Sequence, residues 1–464
     1  MKQKSVSRER MTKDTVILLM SLFYPAVHNY FWRAIIAFTG LDRTVFTIEV
    51  FDAIIWAILI GYMLATASRA KMTWRTYFAV ILFIFVAVAS FTLTEYKYFT
   101  STVLWTLLIG GCVFFLQGSL INMKNVSYNQ LLAAAKITLV ISTLYSLYTI
   151  ISKNATYEDN MDFSYRALPA VLIVFSGLLV KKAGRSTIVF AAMGVVLLLL
   201  QGTRGPLLCL AVYVCLMLYK KHGMGKFFLK VSAAVLIVTL LLSSQTIQNW
   251  LLNLSEQIDS TGYSSRFISM LVKGELSDDN GRDVIKEALL EEIQENPFQI
   301  RGMFADRQAT RGLRNYEWNI IYPEGTYAHS IWIEVIFDWG LLLGGVLLIS
   351  IVLILFRTIK KCSMSDAYII MLFVCTGFVH LFLSGSYLED TGFFFLMGLT
   401  MNDSAVLRTG TGRYRYENSR NQYANKWQYG KDNVPNCRNS KGFGTYSSNI
   451  YTRAVCERKE EQNG

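Results

Sequence analysis

His329 stands where the polar stretch Tyr327-Ala328-His329-Ser330 gives way to Ile331-Trp332-Ile333-Glu334-Val335-Ile336-Phe337-Asp338-Trp339-Gly340 and then to an almost unbroken apolar run ending at Phe356. An imidazole at such a boundary is half-wet and half-shielded, which suits a general base titrating near neutrality; it equally suits an ordinary helix-end histidine. The other three histidines offer less. His222 lies in a basic stretch, and His28 and His380 sit inside apolar runs, where a packed polar role is the default. Glu334 and Asp338 follow His329 at i+5 and i+9. At about 100° per residue a helix turns them roughly 140° and 180° away from it, so any partner for the imidazole must come from elsewhere.

Two arginines carry the second kind of chemistry. Arg204 sits in Gln201-Gly202-Thr203-Arg204-Gly205-Pro206, a tight link between two apolar runs. A guanidinium there is costly unless an anion or a partner meets it; its planar fork fits phosphate, and it can also snorkel to lipid headgroups. Arg282 follows Asn280-Gly281 and precedes a segment with helical spacing (Val284, Ala288, Leu289, Ile293) that Pro297 ends. A cation beside the free N–H groups of a helix start can hold an anion, although alone it also reads as a solvated surface arginine. Arg301, Arg307, Arg311 and Arg314 add positive charge to the same polar region, among many acids. The run Asp278-Asp279-Asn280-Gly281-Arg282-Asp283 could ligate a divalent cation, but its residue types suit a turn and helix cap at least as well. None of the seven cysteines falls in this region, and no Cys/His spacing matches a zinc site.

The elements that must position these residues are membrane helices. Of the 464 residues, 53% are hydrophobic. They fall into runs of about 20 separated by short charged loops, the length that crosses roughly 30 Å of hydrocarbon. The expected architecture is all-α and polytopic, with spans at 15–39, 44–66, 75–94, 98–121, 131–151, 165–180, 186–201, 205–219, 227–247, 329–356, 366–386 and 391–402. The first is read as a retained helix and not a cleaved leader. Residues 1–14 form a basic cytoplasmic N-terminus and 15–247 a nine-span region. The long hydrophilic insert covers 248–328, a three-span region 329–402, and a polar, disordered tail 403–464. The formal charge of +12 lies largely in Arg69/Lys71/Arg75, Lys124, Lys181/Lys182/Arg185, Lys220/Lys221/Lys226 and Arg357/Lys360/Lys361. All of these share one side when the N-terminus is inside, as membrane orientation requires. That puts the insert, with Arg204, Arg282 and His329, outside, and it removes nucleic acid as the explanation for the charge.

The order of these motifs resembles the O-antigen ligase/polymerase superfamily. They are Gly202-Thr203-Arg204-Gly205 after a span, Gly281-Arg282, Asn296-Pro297-Phe298 with Arg301-Gly302, His329 opening a span through Asp338-Trp339-Gly340, and Ser384-Gly385-Ser386-Tyr387-Leu388-Glu389 before a Phe-rich last span. The likeness is best from about Ser186 to Met401. It departs in offering one glycine after the Asn-Pro motif and Ser330 after the histidine. What the resemblance implies is a GT-C-like membrane glycosyltransferase that uses a glycan on undecaprenyl diphosphate as donor, needs neither metal nor cofactor, and inverts the anomeric centre. Arg204 and Arg282, with Arg301, would bind the donor diphosphate, and His329 would deprotonate the acceptor hydroxyl. The acceptor would be a glycan or lipid, with membrane lipid, a flippase and a chain-length regulator as partners.

Within that family a polymerase of repeat units leads, and a ligase to lipid A core or protein is the near alternative. A flippase or transporter would show internal repeats and a charged midplane site, and neither is visible in the sequence. A metal-dependent oligosaccharyltransferase would need acids in the first outer loop, where only Asp42 is found.

Overall fold

The computed structural model describes residues 11–39, 54, 57, 58, 61, 73–93, 106–152, 157–180, 184–201, 203–242, 244–260, 266–273, 282–315, 320–322 and 326–402. The basic start of the N-terminus, most of the second expected span, the start of the fourth, the 278–281 turn and the tail 403–464 lie outside the described residues.

The chain is mostly helical. The first helices are α1 (Lys13–Thr39), α2 (Trp74–Leu93), α3 (Cys112–Leu120, entered through a wide turn Thr106–Gly111), α4 (Tyr128–Ser152), α5 (Tyr157–Val180), α6 (Arg185–Leu200) and α7 (Arg204–Leu242). The polar stretch expected as a loop at 153–164 is, from Tyr157 on, the opening turns of α5. α7 contains two expected spans that meet at Gly223, whose φ of 74° breaks the helix. The ninth expected span stops at Leu242, and an amphipathic helix, α8 (Gln245–Ser260), begins within its anticipated end. Among the described residues four segments are long and apolar enough to cross a membrane: Tyr128–Tyr148, Asp162–Leu179, Ile331–Lys361 and Met364–Phe382. Trp74–Ser90, Arg185–Leu200 and Thr391–Met401 are apolar but shorter.

α5 is the hub of the bundle. Leu168 and the run from Ala170 to Val174 are fully buried, and the helix touches α1, α4, α6 and α7. Segments expected on one side of the membrane meet one another. Thr12 Oγ1 donates to the carbonyl of Asn125 at 2.7 Å. Lys220 Nζ donates to the carbonyls of Ile359 and Lys360 at 2.9 and 3.0 Å, satisfying acceptors that a helix end leaves open.

The polar insert builds a small core of its own. It contributes α9 (Arg266–Lys273), α10 (Asp283–Glu295), α11 (Ala305–Ala309) and a two-stranded antiparallel ribbon of β1 (Arg314–Asn315) and β2 (Ile320–Ile321). α10 buries Ile285, Leu289 and Ile293, an i, i+4, i+8 stripe. This stripe packs with Ala305, Ala328, Ile333 and Phe337. The expected stripe shared Leu289 and Ile293 but started one residue early, at Val284.

The last part of the chain holds α12 (Ile331–Lys361), α13 (Met364–Val374, continuing through Cys375–Val379 and His380–Phe382) and α14 (Thr391–Met401). α12 corrects the tenth expected span in two ways. It starts after His329, and it is broken at Gly340, where φ is 72° and ψ 164°. Residues 331–339 bury Glu334 and Asp338 in the insert's core region. Residues 341–361 instead expose Leu341, Leu342, Val346, Ile349, Val352, Leu353 and Phe356, the surface a lipid-facing helix needs. The Asn296–Gly302 loop docks into the break. Arg301 and Gly302 each donate a backbone N–H to the Asp338 carbonyl at 2.9 Å, and Leu341 donates to Pro297 at 2.7 Å. These bonds satisfy backbone groups that the broken helix would otherwise strand. A Cβ at Gly340 would lie 3.0 Å from the carbonyl oxygens of Phe298 and Gln299, so both φ and space call for glycine.

α13 ends at Phe382, short of the expected 386, and leaves Leu383–Asp390 as a loop. α14 seats that loop by crossing α3 at a pair of glycines. A Cβ at Gly118 would fall 2.1 Å from the Phe395 carbonyl, and one at Gly398 would fall 2.0 Å from the Phe115 carbonyl. Small residues of this kind let membrane helices touch backbone to backbone.

Candidate active site

His329 is held by its backbone before its side chain is considered. The Thr310 hydroxyl donates to the Thr326 carbonyl at 2.6 Å, and the Ala328 N–H donates to Asp306 Oδ2 at 2.9 Å. The chain then turns through a left-handed His329 at φ 55° into Ser330, the N-cap of α12. A non-glycine residue in that conformation is costly and persists where its surroundings enforce it. The ring lies 4.1 Å from the Tyr327 ring, centroid to centroid. Nδ1 is shut off from solvent and has no hydrogen-bond partner among the described residues. Burial, then the charges of Arg282, Lys286 and Arg307, push the imidazole from its ordinary 6.5 down to about 3. The side chain is therefore neutral at physiological pH.

Arg282 occupies the position before α10 and donates from Nη1 to the Leu383 carbonyl at 3.1 Å. It therefore bridges the insert and the loop before α14. Burial pushes the Tyr327 phenol up, while its hydrogen bond with Ser384 and the charge of Arg282 pull it back. His329, Arg282, Tyr327 and Ser384 thus form one cluster.

Arg204 opens α7. Its flanks are docked on α5: the Thr203 and Ser164 hydroxyls share a hydrogen bond, and a Cβ at Gly205 would sit 1.9 Å from the Tyr165 hydroxyl. Tyr165 lies 4.6 Å from the His380 ring, and both line a cavity of about 540 Å³ that Tyr327 also lines. Arg204, Arg282 and His329 do not themselves line this cavity; they approach it through neighbours, Tyr165 beside Gly205 and Tyr327 beside His329.

Arg301 is placed differently from its expected role. Its side chain is 8% exposed. Nε donates to Glu292 Oε1 at 3.1 Å, Nη2 to the Glu292 carbonyl at 3.0 Å and Nη1 to the Phe337 carbonyl at 3.4 Å. The guanidinium also lies over the Phe337 ring at 4.5 Å. A fork bonded to the end of α10 and to the broken helix acts as a structural clamp.

The strongest electrostatic feature lay outside the expected set. Arg307 is 2% exposed. Nη1 donates to Asp306 Oδ1 at 2.6 Å and Glu334 Oε1 at 2.9 Å, and Nη2 donates to Ser386 Oγ at 2.7 Å and Glu389 Oε1 at 3.3 Å. Burial works against its charge, but the three carboxylates outweigh it and hold the guanidinium well above its usual range. Ser386 and the Tyr387 N–H donate to Glu334, the Tyr387 hydroxyl donates to Asp338 Oδ2 at 3.0 Å, and Trp339 Nε1 donates to the Tyr387 oxygen at 2.9 Å. This network ties the insert, the broken helix and the 383–390 loop together. It explains why Glu334 and Asp338 point away from His329. A signal was present in the sequence: two carboxylates four apart in an apolar run demand buried partners. His380, read as a packing histidine, proves to be a cavity residue with Nδ1 3.2 Å from Asp390 Oδ2.

A neutral imidazole and an arginine fork both lie near Tyr327, which also lines a cavity of mixed polar and apolar walls. That is suited to removing a proton while an anion is neutralised nearby. Searches against protein-family models and against curated proteins give no match for this sequence.

Proposed function

We propose that the chain is a polytopic glycosyltransferase of the GT-C type, with about twelve spans. It joins glycan repeat units carried on undecaprenyl diphosphate at the outer face of the bacterial cytoplasmic membrane. The observation that carries this reading is the pairing of His329 with Arg282: a neutral, conformationally enforced imidazole beside a cation whose chemistry suits phosphate. The order of motifs around Arg204, Arg282 and His329 supports it.

In this reading the acceptor hydroxyl gives its proton to His329. With Nδ1 shut in, Nε2 is the nitrogen that takes it. The acceptor oxygen bonds to the anomeric carbon from the face opposite the leaving group, and the bond from that carbon to the diphosphate oxygen breaks. Undecaprenyl diphosphate departs with its charge met by Arg282 and Arg204. An imidazole pushed down to about 3 is a weak base. The donor offsets the smaller part of this: its negative charge beside Arg282 and Lys286 counters the repulsion those cations exert on a protonated ring, while burial, the larger cause, remains. The base gains strength when the leaving group is in place.

The test is reconstitution in nanodiscs with lipid-linked repeat units, with products resolved by length. Wild type should yield ladders and His329→Ala should yield none while folding normally; ladders from His329→Ala would remove the assignment. In a deletion strain, single repeats on undecaprenyl diphosphate are expected. Long chains on that lipid would make the enzyme a ligase instead.

A further inference from the structure

The cavity beside the base has a chemical character of its own. Its volume of about 540 Å³ lies within the range of about 300–1,000 Å³ typical of small-molecule sites. Tyr165 and Tyr327 line it together with the apolar side chains of Leu22, Phe114, Leu168 and Phe373. Its charged lining is unbalanced toward acid. Asp162, Glu389 and Asp390 face it with Arg166 and His380. Arg166 is already committed, through Nε to Asp162 at 2.8 Å and through Nη1 to the Pro25 carbonyl at 3.1 Å. Glu389 leans on Arg307, but that arginine also serves two other carboxylates.

Asp390 is fixed in place, with His380 against it. Asp390 Oδ1 accepts the Phe393 N–H at 2.6 Å as the N-cap of α14, and its Oδ2 lies 3.2 Å from His380 Nδ1. A lipid chain in this cavity would bury carboxylates against hydrocarbon, which is strongly unfavourable. An anionic ligand would meet Glu389 and Asp390, since Arg166 already neutralises Asp162. A ring with hydroxyls on its edge and C–H groups on its face satisfies both the carboxylates and the tyrosines.

We propose that this cavity is the subsite for an uncharged sugar ring of the lipid-linked glycan, with the His380–Asp390 pair hydrogen-bonding its hydroxyls and the surrounding carboxylates rejecting acidic sugars. This rests on the glycosyltransferase reading above and adds the class of sugar that the site accepts.

The test measures binding to the full-length protein in nanodiscs. The probes are sugar-free undecaprenyl diphosphate and the same lipid bearing one glucose, galactose, N-acetylglucosamine or glucuronic acid. At least one neutral glycolipid should bind about tenfold tighter than the sugar-free lipid, the effect of one or two hydrogen bonds to charged groups. The glucuronic acid lipid should show no gain. His380→Ala should erase the gain. So should Thr376→Phe, which fills the cavity from a lining position without touching an ion pair and serves if His380→Ala misfolds. Arg282→Ala should instead weaken all probes alike. A gain that survives in folded His380→Ala and Thr376→Phe, or an equal gain for glucuronic acid, or no gain for any neutral sugar, overturns the subsite and leaves the glycosyltransferase reading standing. Failure of wild type to bind even the sugar-free lipid overturns both.

Discussion

Asp306 Oδ2 accepts the backbone N–H of Ala328 at 2.9 Å, while its Oδ1 holds Arg307 at 2.6 Å. One buried carboxylate thus connects the charge network to the residue preceding His329. It fixes the strand that must turn left-handed at His329. Asp306→Ala should release that turn and strand the Ala328 N–H, at a cost of about 1–3 kcal/mol. Transfer should fall by one to two orders of magnitude through kcat. Asp306→Asn, which keeps an acceptor oxygen, should recover part of it. Equal kcat for Asp306→Ala and wild type would show that the turn holds itself.

Arg282 and Arg301 should separate cleanly under substitution. Arg301→Lys cannot reproduce three guanidinium bonds to Glu292 and Phe337. It should lower the thermal midpoint and leave donor affinity near normal. Arg282→Lys should do the reverse, weakening undecaprenyl diphosphate binding about tenfold or more with the midpoint little changed. Arg204→Lys should follow Arg282→Lys. If Arg301→Lys loses donor affinity at unchanged midpoint, the arginine expected from the sequence as a phosphate ligand was such a ligand after all.

The pH dependence has a defined sign. His329 is pushed down from 6.5 to about 3 in the fold by burial and by Arg282, Lys286 and Arg307. Between those values the unfolded chain binds a proton that the folded one does not, so stability is full above about pH 6.5 and falls as pH drops toward 3. His329→Gln should flatten that loss. Histidine-selective NMR should find the wild-type ring neutral at pH 5 without donor. Sugar-free undecaprenyl diphosphate should raise its pKa; a lowered or unchanged value would remove the donor-dependent gain in base strength.

Gly340 should tolerate no side chain. Gly340→Ala places a Cβ 3.0 Å from two carbonyl oxygens at a φ of 72°. A φ of 72° with a ψ of 164° is backbone that essentially only glycine adopts, and it alone costs an alanine about 1–3 kcal/mol. The docked Asn296–Gly302 loop should loosen, which hydrogen exchange at the Arg301, Gly302 and Leu341 amides would report. Unchanged protection there would mean that the break is held by other contacts.

Hydropathy and helix signals are local, and what depends on them was legible. Apolar runs mark the helices of the bundle, Pro297 marks the end of α10, and the stripe of α10 is readable to within one residue. The position of His329 at a polar–apolar junction singled it out for the same reason. Hydropathy, however, carries no φ angle, so the run from Ile331 to Phe356 read as one span when Gly340 divides it into a buried polar-network helix and an exposed apolar helix. Nor does it carry partners. Arg301 and Arg307 look alike along the chain, yet folding gives one a helix end and a carbonyl to clamp and gives the other three carboxylates. His380 and Asp390, ten residues apart, meet because the loop between α13 and α14 folds back. Chemistry that arises when distant segments desolvate each other's charges is decided by tertiary structure, because the energy of a buried charge depends on what surrounds it in space and not on its neighbours in sequence.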